Sequence, residues 1–161
     1  MPKLPMDEAV AFLDEPNHLM RLATTDDDGW PLVVPAWFIH RDGSILFTPR
    51  ERSAWRAHLD RDPRVCITVD EEQAPMRKVV VQGTAAVVHP LGHDDAWREI
   101  YRAITMRYVP EAFGDAYLTD THDEPRALLA VDLAASRVTT WRMPVPGENR
   151  LQVWAPKYYH R

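Results

Sequence analysis

The chain has 161 residues, a size that suits one domain with a sizeable core, and its 45% apolar share is that of a soluble globular protein. A formal net charge of −5 gives no global basic field to attract nucleic acid, and a single cysteine, Cys66, excludes an intrachain disulfide. The first eight residues lack the apolar core of a signal peptide and no run is long enough to span a bilayer, so a cytoplasmic location is the default expectation.

In chain order, Ala9, Val10, Phe12 and Leu13 predict a helix over 7–15, stopped by Pro16. A strand over 19–25 follows, then the turn Asp26-Asp27-Asp28-Gly29. Residues 31–40 read as one strand, with Pro35 marking an edge or bulge because proline cannot donate to a ladder. Asp42-Gly43 centres a second hairpin turn before a short strand over 45–48. A short helix over 53–60 comes next, then β-branched runs over 65–69 and 79–88. Trp97, Ile100, Tyr101, Ile104 and Tyr108 share one face of a helix over 94–108. The acidic stretch 114–125 reads as a surface loop, and 128–133 with 137–142 as a closing pair of strands. Many short strands, tight turns and few helices indicate a mainly β, α+β fold built on a small barrel.

Several chemistries lack local support. The six glycines form neither a phosphate loop nor a dinucleotide fingerprint. The seven histidines show no paired spacing for a metal, so no metal site is expected, and the serines have no nucleophile-elbow context. No catalytic residue is assignable from these patterns.

The informative stretch is Phe47-Thr48-Pro49-Arg50-Glu51-Arg52-Ser53-Ala54-Trp55-Arg56. Ser53 is a good N-cap, so Arg50, Arg52 and Arg56 crowd a helix N-terminus, the wrong end for cations. Each misplaced charge costs about 0.3–1 kcal/mol at an exposed site. A bound anion reverses that sign, since free N–H groups, a hydroxyl and guanidinium groups make a phosphate site. A solvated basic turn, partly compensated by Glu51, is the alternative. A second stretch, Lys78-Val79-Val80-Val81-Gln82-Gly83, places Lys78, Val80 and Gln82 on one strand face. They can meet a polar heterocycle or simply face solvent. Gly83 indicates a bulge or a close backbone approach. Cys66, in an alternating apolar strand, reads as a small buried hydrophobe.

Taken in order over residues 7–88, these segments resemble the pyridoxamine-phosphate-oxidase-like flavoproteins. The resemblance rests on the acidic-Gly turn, Trp30-Pro31-Leu32-Val33-Val34-Pro35, the Thr/Arg/Ser loop and helix, Asp62-Pro63-Arg64-Val65, and Gly83-Thr84-Ala85. It implies a split β-barrel of about six antiparallel Greek-key strands over 1–142, with 143–161 an aromatic arm on the same domain or its dimer interface. It also implies a homodimer holding flavin mononucleotide (FMN) at the subunit interface, and a flavin-dependent oxidoreductase acting on a small molecule. By position, Thr48, Arg50 and Ser53 would hold the phosphate. Val33, Val34 and Pro35 would line the ring system, and Lys78 and Gln82 would face it. Trp55 stands where the family usually has a phosphate-binding lysine, leaving Arg50, Arg52 or Arg56 to replace that cation. The family's substrate signature for pyridoxamine phosphate is not recognisable. The alternatives are a deazaflavin-dependent reductase, a non-catalytic flavin carrier, and a cofactor-free dimeric barrel. The aromatic tail from Leu151 to Arg161 would cover the cofactor mouth or the neighbouring subunit.

Overall fold

The computed structural model describes residues 3–149, so the aromatic tail beyond them lies outside the described residues. Helix α1 (Met6–Asp14) buries Ala9, Phe12 and Leu13. It ends where Glu15, preceding Pro16, is forced into extended backbone. Strands β1 (Met20–Thr25) and β2 (Pro31–Ala36) flank a turn held by Asp26, whose carboxylate accepts the N–H of Asp28 (3.0 Å) and of Trp30 (2.7 Å). β2 is an edge strand, which is how the sheet tolerates Pro35.

The run 31–40 is two strands rather than one. The chain leaves its sheet at Trp37 and Phe38 and enters β3 (Ile39–Arg41) in another. The break is satisfied from far along the sequence. The Tyr108 hydroxyl accepts the Phe38 N–H at 3.2 Å and donates to the His18 carbonyl at 2.9 Å. β3 turns into β4 (Ser44–Phe47) through Asp42 and Gly43, both at positive φ. After α2 (Ala54–Arg61) and β5 (Arg64–Asp70), the run 79–88 also divides. β6 (Lys78–Thr84) and β7 (Ala86–His89) lie in different sheets, with buried Ala85 at the crossing. Gly83 is a close approach, as expected: a Cβ there would lie 2.2 Å from Ser136 Oγ and 2.9 Å from Val131 Cγ1.

The helix expected over 94–108 is a 3-10 turn (Asp94–Trp97) followed by α3 (Arg98–Met106). The stretch expected as a loop over 114–125 is instead largely helical, in α4 (Glu111–Asp120). Its acidic side chains meet a cation: Arg102 donates to Glu111 (2.7 Å) and Asp115 (3.1 Å). Gly114 carries no side chain where a Cβ would lie 2.7 Å from Met106 Cε, so the two helices approach closely.

Strands β8 (Leu128–Asp132) and β9 (Arg137–Trp141) complete two antiparallel sheets, in the orders β2-β1-β5-β6-β9 and β3-β4-β8-β7. This is a split β-barrel. Its interior holds Phe12, Met20, Leu22, Phe38, Ile45, Phe47, Ile67 and Leu129. A second cluster, of Leu46, Trp97, Tyr101 and Leu128, lies on the other face of the smaller sheet with Tyr117 and Leu118 packed against it. β4 and β8 are therefore buried on both faces, which is why neither shows clean alternation. β5 and β6 alternate instead, with one face buried and the other half-exposed. Among the described residues, no helix is long and apolar enough to cross a membrane.

Candidate functional site

A cavity of about 450 Å³ opens where the end of β2, the segment entering α2, and the α3–α4 layer meet. Leu19, Pro35, Ala36 and Trp37 line one side. Thr48, Arg50, Ser53 and Trp55 line a second, and Tyr101, Tyr117 and Arg126 close the third. The sheet crossing at Trp37 builds this wall. The indole stacks on Tyr108 at 5.2 Å and 4° and meets the Tyr117 ring edge-on at 5.6 Å.

The cations lie at one end. Arg50 and Arg126 face each other across an isolated antiparallel bridge, and their guanidinium groups donate to one oxygen, the Tyr117 hydroxyl, at 3.0 and 3.1 Å. Arg50 also pairs with Glu124 at 3.0 Å on the exposed side. Arg126 is only 6% exposed, with its guanidinium carbon 4.6 Å from the Tyr101 ring centroid and its backbone N–H on Asp94 at 3.1 Å. Among the described residues, two buried polar atoms of the cavity walls have no hydrogen-bond partner: Arg126 Nε and the Tyr101 hydroxyl. Buried polar groups are rarely left so, and here both belong to the cavity lining. Burial pushes the Tyr101 phenol up. Burial also opposes ionisation of Tyr117, but the facing Tyr101 hydroxyl, Arg50 and Arg126 outweigh it and bring that phenol below its ordinary value.

Of the residues expected from sequence, the cavity brings together Pro35, Thr48, Arg50, Ser53 and Trp55. Ser53 occupies the N-cap position of α2 in extended backbone, but its hydroxyl makes no capping bond, and among the described residues no side chain caps that helix start. Trp55 packs its ring toward Phe47, at 6.1 Å, and against the barrel core. Arg52 lines an adjoining cavity of about 260 Å³ with Arg50, Glu51, Asp123, Glu124 and Pro125. Arg56 does not line the main cavity; it pairs with Asp60 one turn along α2. Val34 packs against the core, while Val33, 58% exposed, lies on the outer side of β2.

Lys78 and Gln82 also lie apart from the cavity. Strand pairing puts Val33, Ala23, Cys66 and Gln82 in one row across the larger sheet. Lys78 sits further along that sheet with its ammonium 5.4 Å from the Trp141 ring. Cys66 is half-buried in this row rather than in the core.

Arg126, Tyr101 and Tyr117 are the site residues that the phosphate argument did not include. Arg126 had one sequence signal, an arginine abutting the apolar run Ala127-Leu128-Leu129. Glu15, His18 and Glu71 bring three potential metal-ligand atoms within 4.8 Å. Arg77 already donates to both carboxylates, at 2.6 and 2.8 Å to Glu15 and at 2.9 and 2.7 Å to Glu71, so the cluster reads as an ion network.

The family model for pyridoxamine 5'-phosphate oxidase matches residues 5–142. The chain belongs to that family. Solved structures agree in fold. A conserved hypothetical protein from Mycobacterium tuberculosis superposes with a TM-score of 0.68 at 19% identity, covering 91% of this chain and 92% of its own. An FAD-binding protein from Mesorhizobium loti gives 0.60 at 21% identity, covering 86% and 93%. An F420 reductase gives 0.59 at 23% identity, covering 78% and 93%. Among curated proteins, none matches the chain. The shared fold puts the family's barrel over the strands described above.

Proposed function

We propose that the chain is a flavin-dependent oxidoreductase that holds FMN in this cavity, with the phosphate on Arg50 and Arg126. The observation that carries the reading is the pair of guanidinium groups converging at one end, one of them buried with an unpartnered Nε. Like charges brought this close are stabilised by an anion between them. The uncapped start of α2 and the hydroxyls of Thr48 and Ser53 add neutral donors on the same side. Arg126 takes the part of the lysine that Trp55 replaces, with a planar fork that suits two phosphate oxygens. Pro35, Trp37 and Trp55 offer flat apolar walls for a ring system. Family membership and relatives described as FAD-binding and as an F420 reductase support a flavin-type cofactor.

The cofactor, when bound, supplies hydride or electron transfer; the protein binds, orients and tunes it. Here Arg50 and Arg126 fix the anionic end, and the Trp37–Tyr108 stack holds the wall against which the ring is placed. Val33, Lys78 and Gln82 reach a cofactor only across an interface, because they lie on the outer face of the larger sheet. The proposal therefore includes a homodimer in which that face meets the cavity of a second copy. A deazaflavin is the second reading. Arg52, in the cavity that shares Arg50, is placed to meet a longer acidic tail.

The absorbance spectrum of the purified protein, with its sedimentation behaviour, tests this. A two-banded flavin spectrum on a dimer supports FMN, and a single-banded deazaflavin spectrum supports the second reading. A colourless monomer that binds neither on titration removes both.

A further inference from the structure

Tyr117 sits where the two cations meet. Its oxygen accepts N–H bonds from Arg50 and Arg126 at 3.0 and 3.1 Å. A phenol oxygen has two acceptor sites and one proton, so both acceptor sites are taken and the O–H is left to donate into the cavity Tyr117 lines. The groups around it come from every neighbouring element. Tyr101 of α3 has a buried, unpartnered hydroxyl, Glu124 lies 3.0 Å from Arg50 and 3.9 Å from Arg126, and Asp94 holds the Arg126 backbone.

We propose that Tyr117 is itself a ligand of the anionic group in this cavity. Fixed by Arg50 and Arg126, it donates its O–H to a phosphate monoester, and the site takes the dianion only while that proton is present. The inference rests on the flavin reading above, and goes further by naming Tyr117 as a ligand of the phosphate and the proton state that binds it.

Deprotonation reverses each contact. A tyrosinate keeps both guanidinium edges for itself and sets its negative charge against that of the phosphate. It also has no proton to donate. The reversal falls within reach of experiment because the hydrogen-bond donors around Tyr117 outweigh burial and lower its phenol from the ordinary value, whereas burial raises that of Tyr101.

The test compares FMN with riboflavin, which has the same ring system and lacks the phosphate, on the full chain from about pH 7 to about pH 10. The ratio of the two affinities isolates the phosphate. In the wild type the FMN preference is expected to fall by up to about tenfold per pH unit once Tyr117 ionises. Tyr117→Phe is expected to lower the preference about tenfold at neutral pH and to flatten its pH dependence. The near-ultraviolet tyrosinate band of the ligand-free protein should show one phenol ionising early in the wild type and none in that variant. A wild-type preference that stays flat with pH, or one that falls equally in Tyr117→Phe, overturns the inference while leaving FMN binding intact. Equal affinity for FMN and riboflavin at neutral pH overturns the phosphate reading itself, and the inference with it.

Discussion

Arg50 and Arg126 stand opposite each other on a single antiparallel bridge and share the hydroxyl of Tyr117. The only carboxylate seen close to both guanidinium groups among the described residues is Glu124, at 3.0 and 3.9 Å, and it is 48% exposed. Water screens such a carboxylate, so it offsets the repulsion only in part. The inner side of Arg126 meets the Tyr101 ring and the Thr48 carbonyl, both neutral. Among the described residues the ion pairs of both guanidinium groups fall on the solvent side, and the one carboxylate on the inner side, Asp94, is engaged by the Arg126 backbone N–H; this is the physical ground for assigning an anion to the cavity.

Arg126→Met removes the charge and keeps most of the packing over Tyr101. Thermal unfolding of the ligand-free variant is expected to stay within about 1 kcal/mol of the wild type, because lost stacking is balanced by lost repulsion. FMN affinity is expected to fall by about 1.5–3 kcal/mol, the worth of a charge-assisted bond, and Arg50→Ala to do the same. Stabilisation by FMN that survives undiminished in both variants would place the anion elsewhere.

Arg77 lies over the Phe12 ring at 4.5 Å and donates to both Glu15 and Glu71. Its guanidinium holds both carboxyls below the ordinary 4.5. Carboxyls lowered on folding contribute stability above their unfolded value, and that contribution is lost as pH falls through the folded one. Arg77→Met is therefore expected to cost about 1–2 kcal/mol at neutral pH, allowing for partial exposure. The gap between the two proteins in urea unfolding should narrow as the pH drops below 4.5. A gap of constant size in acid would assign Arg77 to packing alone.

Gly83 has no room for a methyl group, with Ser136 Oγ and Val131 Cγ1 closing on it. Gly83→Ala is expected to destabilise by about 1–3 kcal/mol through overpacking. Ser136→Ala in the same chain should restore part of that, since the hydroxyl is the nearer obstacle. Strict additivity of the two substitutions in chemical unfolding would show that the sheets simply move apart.

Tyr108 closes the gap left where β2 becomes β3. Tyr108→Phe strands the Phe38 N–H and the His18 carbonyl and should cost about 1–2 kcal/mol. The ring stack with Trp37 survives, so the cavity wall and FMN affinity should change less than in Tyr108→Ala. Equal loss of affinity in both variants would show that the hydroxyl, not the stack, positions the wall.

Local chemistry was the legible part of the fold. Asp26 and Gly29, Asp42 and Gly43, and Pro35 on an edge strand all act through their own backbone preferences, so they read directly from sequence. The crossings at Trp37 and Ala85 did not, because a β-branched run carries no sign of which sheet its neighbours belong to. α4 was hidden for a related reason. Gly114 and the acidic residues look like a loop until Met106 and Arg102 are known to lie against them. In the site, Thr48, Arg50 and Ser53 were legible as cations and hydroxyls at a helix start. Arg126, Tyr101 and Tyr117 come from distant segments, and sequence spacing holds no trace of the bridge that aligns Arg126 with Arg50.

A crystal structure of the protein grown with FMN tests the central claim most directly. The phosphate is expected within hydrogen-bond distance of the Arg50 and Arg126 guanidinium groups, with the ring against the Trp37 wall. Flavin phosphate anchored on other residues, with the Arg50–Arg126 end of the cavity left to water at saturating FMN, would contradict it.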